Sequence, residues 1–214
     1  GVAGGAAEVL NVATAAGGGV TNLGGVTLTN ASSVITGTAN NDVITATAGA
    51  GADTITPGAG SDTITLGGGT NLVNYNANDA DAADLFPDLN SGGGTNTFNI
   101  VTTEDFDGQL APNGAGAGTV LTGLDAITFA TGQSATFAGE QLTGLTLTAT
   151  GVAGGAAEVL NVATAAGGGA TNLGGVTVAN VSTVITGTTN ADTITGTNGV
   201  DRFVPGNGID PLTL

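Results

Sequence analysis

Three neighbouring stretches, GTANNDVIT (37–45), AGAGADTIT (48–56) and PGAGSDTIT (57–65), share one nine-residue pattern. Each has a six-residue turn that ends in Asp, then a three-residue segment with a large apolar residue at its centre. Glycine, or asparagine in its place, allows the positive φ that a sharp turn needs. The central residue of the short strand points inward, because side chains alternate along a strand. Turns and strands repeated at a fixed length predict a solenoid of stacked coils.

The pattern returns late in the chain as GTTNADTIT (187–195), GTNGVDRFV (196–204) and PGNGIDPLT (205–213). In the first set, LGGGTNLVN (66–74) continues the series with Asn in place of Asp. We expect the central apolar residue of every unit to be buried. These residues are Ile44, Ile55, Ile64, Val73, Ile194, Phe203 and Leu212.

The nonapeptide units lie inside a longer repeat, because residues 1–48 return at 151–198 with small exchanges such as Leu28 for Val178. This repeat divides the chain into a first copy, 1–150, and the start of a second, 151–214. The nonapeptide motifs then occupy 37–74 and 187–213. Two stretches break the strand pattern, at 75–91 and 102–118, and we expect them to be irregular inserts.

Charge and composition narrow the function classes. The chain has 17 acidic residues, one basic residue and a formal net charge of −16, with 40 glycines and no cysteine. This charge argues against nucleic acid and anionic membrane surfaces as partners. One arginine cannot neutralise so many carboxylates, so a divalent cation is the natural counterion. No apolar run is long enough to cross a membrane.

The turns carry the ligand chemistry of calcium. An Asp carboxylate and several backbone carbonyls from stacked turns would supply the hard oxygen ligands that Ca²⁺ prefers. The units resemble the hemolysin-type RTX calcium-binding repeats, with consensus GGxGxD followed by x, a large apolar residue and x. The resemblance implies an all-β, right-handed parallel β-solenoid (β-roll) stabilised by calcium, and type I secretion. The metal-site residues that we predict are Asp42, Asp53, Asp62, Asp192, Asp201 and Asp210, with Gly49, Gly51, Gly58, Gly60, Gly199, Gly206 and Gly208.

Several units depart from this consensus. Pro57 and Pro205 replace the leading glycine, and a two-residue slip before 48–56 is expected to disturb one site. Asn71 and Asn96 lack a charge, so we expect metal-free turns there.

Outside the nonapeptide units, EVLNVAT (8–14 and 158–164) is similar to strand motifs of bacterial surface-layer proteins that carry RTX units. Its glutamates, Glu8 and Glu158, are expected to be solvated carboxylates at a strand edge rather than ligands.

The sequence gives no support for catalysis. The carboxylates of Glu104, Asp105 and Asp107 are adjacent in sequence and would seldom face one cleft as a glycosidase pair does. An aromatic sugar platform is missing, and Arg202 is the only basic residue. The acidic cluster within 79–88 lacks the central Gly and final Glu of an EF-hand, so we expect a solvated loop.

Alternating threonines could form ranks on a flat β-surface, and such ranks can bind ice. We expect instead that the threonine spacing does not match from coil to coil, and that Thr serves as a β-branched outward residue.

These features favour an extracellular protein of the bacterial cell surface that self-associates, head-to-tail or as a lattice, into a surface layer or filament. Open ends of a solenoid invite stacking unless they are capped. A cell-surface polysaccharide is a further candidate partner. The alternative is an extender or ligand-binding region, including an ice-binding one, of a large type I-secreted RTX adhesin.

Overall fold

A computed structural model describes residues 8–22, 25–26, 31–47, 51–76, 94–108, 120–155 and 157–214. In these residues the chain forms nineteen short strands and one four-residue helix. The strands of the first half are β1 Glu8–Ala13, β2 Val20–Asn22, β3 Ala31–Thr36, β4 Val43–Thr45, β5 Asp53–Thr56, β6 Thr63–Thr65, β7 Thr70–Tyr75, β8 Thr95–Ile100 and β9 Glu104–Asp105. The remaining elements are β10 Leu124–Phe129, β11 Ser134–Ala138, α1 Gly139–Leu142, β12 Leu147–Thr150, β13 Glu158–Ala163, β14 Ala170–Asn172, β15 Val176–Ala179, β16 Val181–Thr186, β17 Thr193–Thr195, β18 Asp201–Val204 and β19 Leu212–Thr213.

The strands stack into four sheets, and the paired strands are parallel. An eight-stranded sheet has the order β1-β3-β5-β7-β8-β10-β12-β15, and a five-stranded sheet has the order β18-β16-β13-β11-β9. Two three-stranded sheets have the orders β2-β4-β6 and β14-β17-β19. From β1 to β6 the chain alternates between two sheets, so each coil contributes one strand to each. The predicted all-β fold with parallel strands is confirmed. In the described residues no helix is long and apolar enough to span a bilayer.

Identical registers build the core as a column of side chains. In the eight-stranded sheet Ile35, Ile55, Val73, Phe98 and Ile127 follow one another as direct neighbours, each fully buried. Burying one such side chain contributes about 1.5–3 kcal/mol. The column extends over coils that carry the nonapeptide pattern and coils that do not.

The predicted inward residues are buried in five of seven units, at Ile44, Ile55, Ile64, Val73 and Ile194. Phe203 is partly buried against the core. Leu212 is 42% exposed, so the prediction is wrong there. Its strand β19 is an edge strand that pairs only with β17 in the described part of the chain, and no coil covers its far side.

Four aromatic rings fill the middle of the solenoid. Tyr75 packs edge-on against Phe98 and Phe106, with ring centroids 5.2 and 4.8 Å apart. Phe106 stacks on Phe137 at 4.6 Å. We call these four residues the aromatic cluster. Most of the predicted inserts, namely 77–91 and 109–118, lies outside the described residues. Tyr75 ends β7, and the buried Phe106 directly follows β9, so both predicted inserts begin with residues that belong to the coils.

The two copies of the long repeat use different sheets. Strands β1 and β3 lie in the eight-stranded sheet, whereas their sequence equivalents β13 and β16 lie in the five-stranded sheet. The change begins at β9, which starts the five-stranded sheet, and β13 then stacks on β11. Equivalent strands of successive copies therefore face different sides of the solenoid.

The outward face of the eight-stranded sheet carries a polar column in which two asparagines interrupt the threonines, as the expected mismatch of threonine spacing requires. Asn99 Nδ2 donates to Asn74 Oδ1 at 2.8 Å, and Thr128 Oγ1 donates to Asn99 Oδ1 at 2.9 Å. The strands keep register across the connections between coils, so the outward positions stay aligned. This polar column consists of Thr36, Thr56, Asn74, Asn99, Thr128 and Thr150.

Candidate metal centre

The turn at 37–42 closes on its own aspartate. The backbone N–H of Thr38 donates to Asp42 Oδ2 at 2.7 Å, and the Thr38 hydroxyl donates to the same atom at 3.0 Å. Gly19 N–H, from the preceding coil, donates to Asp42 Oδ1 at 2.9 Å. The Asp42 side chain is 1% exposed, so these bonds fix a buried carboxylate in one orientation.

The second copy repeats this geometry at 187–192. Thr188 N–H and Oγ1 donate to Asp192 Oδ2 at 2.7 and 3.1 Å, and the Asp192 side chain is fully buried. Burial by itself would raise the pKa of Asp192. The hydrogen bonds from the Thr188 backbone and side chain, the Thr164 side chain and the Gly169 backbone outweigh burial and lower that pKa. The site therefore favours the charged carboxylate, which is the form that binds a cation.

The aspartates of successive coils are linked. Asp62 Oδ1 accepts a hydrogen bond from Asp42 N–H at 2.8 Å, and Asp210 Oδ1 accepts one from Asp192 N–H at 2.9 Å. Strands β4 and β6, like β17 and β19, are direct neighbours. Each pair of stacked turns thus brings two predicted aspartates to one edge of the solenoid.

Glycines let backbone carbonyls approach these carboxylates. A Cβ at Gly37 would collide with the carbonyl oxygen of Pro57 and would lie 3.1 Å from Asp42 Oδ2. Gly58 has φ +88°, and a Cβ there would collide with the Thr38 carbonyl. Only glycine fits such a contact. The result is a cradle of carbonyl and carboxylate oxygens from two coils.

The same cradle recurs in the second copy. A Cβ at Gly187 would collide with the Pro205 carbonyl and would lie 3.0 Å from Asp192 Oδ2. Gly206 has φ +87° and packs under the Thr188 carbonyl. The prolines that replace the leading glycine therefore supply a carbonyl oxygen to each cradle, and their missing N–H does not interrupt it.

This donor set fits calcium. All its atoms are hard carboxylate and carbonyl oxygens, which suit Ca²⁺ and not thiolate-seeking metals. In the described residues no three acidic, His or Cys side chains gather at one point. An ion in these cradles would be held by one or two of the aspartates together with the backbone carbonyls. Asp42 and Asp62 would hold it in the first copy, Asp192 and Asp210 in the second.

Asp53 and Asp201 lie in different surroundings. The Asp53 carboxylate is fully buried and accepts hydrogen bonds from the Ser33 hydroxyl and from Thr47 Oγ1, the latter at 2.8 Å. Asp201 is half-buried and keeps the turn geometry, since Thr197 N–H and Oγ1 donate to it at 2.9 and 2.8 Å. Both carboxylates accept a threonine hydroxyl, from Thr47 at Asp53 and from Thr197 at Asp201, although the sequence slips by two residues before the Asp53 unit.

The glycines predicted for the metal sites also differ in their backbone conformation and contacts. Gly58, Gly60 and Gly206 have positive φ, and Gly208 packs under the Asn190 carbonyl. Gly199 packs against Val178. Gly51 lies two residues before β5, and Gly49 lies outside the described residues.

Asn71 and Asn96 replace ion chemistry with amide hydrogen bonds. Asn71 Nδ2 donates to the carbonyl of Gly67 and to Asn96 Oδ1, both at 3.0 Å. Asn96 Nδ2 donates to the Gly123 carbonyl at 2.9 Å. The amide nitrogen of Asn71 thus lies between two oxygen acceptors and donates to both, which a carboxylate at the same position could not do. We call this chain of bonds the asparagine ladder.

Sequence reasoning missed the threonine of the turn. Thr38, Thr188 and Thr197 each stand four residues before the aspartate and bind its carboxylate. The signal was present, because all three units read G-T-x-x-x-D. It was overlooked because the RTX consensus has glycine at that position.

The comparisons with known proteins agree with this geometry. The family model for the RTX calcium-binding nonapeptide repeat matches residues 36–73 and 182–210, with four copies. No curated protein and no solved structure matches the chain. RTX nonapeptide repeats bind calcium, and proteins that carry them are typically secreted. Residues 36–73 and 182–210, where the cradles lie, are therefore RTX calcium-binding repeats.

Proposed function

We propose that this is an extracellular, calcium-dependent structural protein of the bacterial cell surface, without catalytic activity, that self-associates into a surface layer or filament. One observation carries the proposal, namely that the hexapeptide EVLNVA has two environments. In β13 it lies between β11 and β16, and Leu160 is fully buried. In β1 it pairs, among the described residues, only with β3, and Leu10 is 38% exposed.

This difference shows what a neighbouring coil contributes. A parallel strand laid on β1 would supply main-chain hydrogen bonds and bury the side chain that β11 buries in the second copy. At the opposite end, β18 and β19 are also edge strands. Apolar side chains are exposed there, at Val200, Ile209 and Leu212. Among the described residues, β1, β18 and β19 thus leave strand edges and apolar side chains that a further coil would cover, and this supports the proposed association.

Calcium would control when association occurs. The cradles bring buried carboxylates together, and folding of such a site gains the binding free energy of the ion. At low calcium, as in a cytosol, the nonapeptide coils would be unstable, and at the higher calcium outside the cell they would fold. This order suits a protein exported unfolded, as RTX secretion implies.

Sedimentation velocity in millimolar calcium and in chelator tests the proposal. We expect a slow monomer in chelator, expanded by the unfolding of its nonapeptide coils, and assemblies that grow with protein concentration in calcium. Leu10→Lys would place a charge on the β1 edge. It should raise the protein concentration at which assemblies form at least tenfold. Val152→Lys is the matched control, because Val152 is 44% exposed in the connection before β13. This variant should assemble like the wild type. A compact monomer in calcium, at all concentrations, would refute self-association.

That last outcome would favour the second candidate, an adhesin extender or ligand-binding region. The polar column supports this candidate, since it presents hydroxyl and amide groups at the strand spacing of about 4.8 Å. Such a surface could bind a polysaccharide or ice. Asn74 and Asn99 are hydrogen-bonded to each other and to Thr56 and Thr128, so the exposed hydroxyls of Thr36 and Thr150 are the groups that would make these contacts.

A further inference from the structure

Glu158, at the start of β13, is a buried carboxylate without charge compensation. Its side chain is 1% exposed, which contradicts the expectation of a solvated strand edge. Gly132 N–H donates to Oε1 at 3.2 Å, and no other hydrogen bond reaches the carboxylate from the described part of the chain. The only basic residue, Arg202, is exposed. A buried carboxylate with one long hydrogen bond is costly unless a cation balances it.

The surroundings of Glu158 reproduce the calcium cradle of the nonapeptide turns. In that cradle a glycine leaves room for a carbonyl oxygen and for an aspartate oxygen, as at Gly187, where a Cβ would lie 3.0 Å from Asp192 Oδ2. At Gly151 a Cβ would lie 2.7 Å from Glu158 Oε2 and would collide with the Asn180 carbonyl oxygen. A glycine, a carboxylate later in the chain and a carbonyl from the next coil thus meet again, without a nonapeptide motif.

Asn180 adopts a backbone conformation that carries a cost. Its φ is +55°, and it is the one non-glycine residue with positive φ among the described residues. Asparagine tolerates this region better than other side chains, but glycine is the usual choice. The neighbouring carbonyl of Ala179 accepts a hydrogen bond from Gly151 N–H at 2.9 Å. The turn thus directs the Asn180 carbonyl oxygen at Gly151, where Glu158 also points.

We propose that the Glu158 carboxylate and the Asn180 carbonyl oxygen bind a calcium ion, over Gly151, outside the nonapeptide turns. Both oxygens are hard donors, and they are close enough for one ion at about 2.3–2.6 Å from each. The site would close the connection between β12 and β13, where the second copy of the long repeat begins. The inference rests on the calcium chemistry of the chain and does not depend on self-association.

Calcium stoichiometry of the full chain tests the site. The number of ions bound per chain is measured by equilibrium dialysis in metal-free buffer, at protein concentrations below assembly. We expect E158Q to bind one ion fewer than the wild type. E140Q is the matched control, because Glu140 lies in α1, outside the cradles, and should keep the full number. An E158Q protein that binds as many ions as the wild type would overturn the proposal.

Two further measurements distinguish a calcium site from a merely structural role of Glu158. In chelator, E158Q should melt at or above the wild-type temperature, because the amide removes an unpaired buried charge, while its gain from calcium should be smaller. An equal loss of melting temperature with and without calcium would contradict the site. If E158Q does not fold, a wild-type crystal grown with a lanthanide decides the question by anomalous scattering. A peak beside Glu158 supports the site, and its absence there with peaks in the nonapeptide cradles overturns it.

Discussion

A single aspartate in a nonapeptide turn has two tasks that depend on its charge. Asp42 and Asp192 accept hydrogen bonds from the turn N–H four residues earlier, and they also face carbonyl oxygens of the next coil. The first task fixes the carboxylate before any ion binds, which reduces the ordering cost of binding. The second task places the negative carboxylate beside the partial negative charges of the carbonyl oxygens, away from solvent. Both tasks require the ionised form.

Acid sensitivity follows from the lowered pKa of Asp192. A carboxyl whose pKa is lower in the folded state stabilises the protein above the unfolded pKa, about 3.9, and loses that contribution as the pH falls through the folded value. We expect the free energy of unfolding to fall below about pH 4 in calcium-free buffer, to which sodium sulfate is added so that the nonapeptide coils stay folded without the ion. D192N should lower it by about 1–3 kcal/mol at pH 7 and weaken this acid response.

Urea denaturation between pH 2.5 and 7 provides the measurement, and D125N is the control because Asp125 is exposed and lies outside the nonapeptide turns. Asp107 acts in the opposite sense, since burial, Asp105 and Glu140 raise its pKa. An acid response that is unchanged in D192N would show that other carboxylates cause it.

At the scale of strands and turns, the asparagine ladder shows how coils stack without an ion. It occupies the turn-end positions of β7 and β8, in register with Asp53 of β5. An amide offers a donor and an acceptor, so one residue can bond to the coil below and the coil above. A carboxylate offers only acceptors and needs a cation or hydroxyl donors, which Asp53 finds in Ser33 and Thr47.

Asn71→Asp should therefore destabilise the protein when calcium is absent. The substitution removes the donor to Gly67 O and Asn96 Oδ1, and it places a carboxylate against both oxygens. We expect a loss of about 2–3 kcal/mol in calcium-free buffer and partial recovery in calcium. Asn172→Asp is the control, because Asn172 uses its oxygen, which accepts from Gly174 N–H at 3.0 Å. Thermal unfolding of the two variants is the measurement. Equal losses of stability in both would contradict this account of the ladder.

The strand-scale pattern was predictable where local spacing decides it. Ile44 and Ile64 follow from the period of two and are buried as expected. The sheet in which a strand lies was not predictable, because the hexapeptide EVLNVA is identical in β1 and β13 and only its neighbours differ. The burial of Glu158 was missed for the same reason. It depends on the coil that brings Asn180 over Gly151, a contact that no local pattern encodes.

Over the whole molecule, two segments with calcium-binding repeats, here called the ends, flank coils whose described contacts are apolar packing and amide hydrogen bonds. The nonapeptide motifs contribute β4 to β7 and β17 to β19, whereas the aromatic cluster and the asparagine ladder hold the coils from β7 to β11. Apolar and amide contacts persist at any calcium concentration, while carboxylate cradles lose their compensation when the ion leaves. Removal of calcium should therefore unfold the molecule in parts, because opening free energies differ along a structure.

Amide hydrogen exchange during titration with chelator would detect this order. We expect β4, β6 and β17 to lose protection as calcium falls. At the calcium concentration where they do so, the amides of β8 and β10 should still exchange at least tenfold more slowly than those of the other three strands. Magnesium in place of calcium should not restore the ends, because Mg²⁺ demands a tight octahedral shell and gives up its water reluctantly. Loss of protection at one calcium concentration in all five strands would mean that the solenoid folds as a single cooperative unit. In that case calcium at the ends would stabilise the central coils as well.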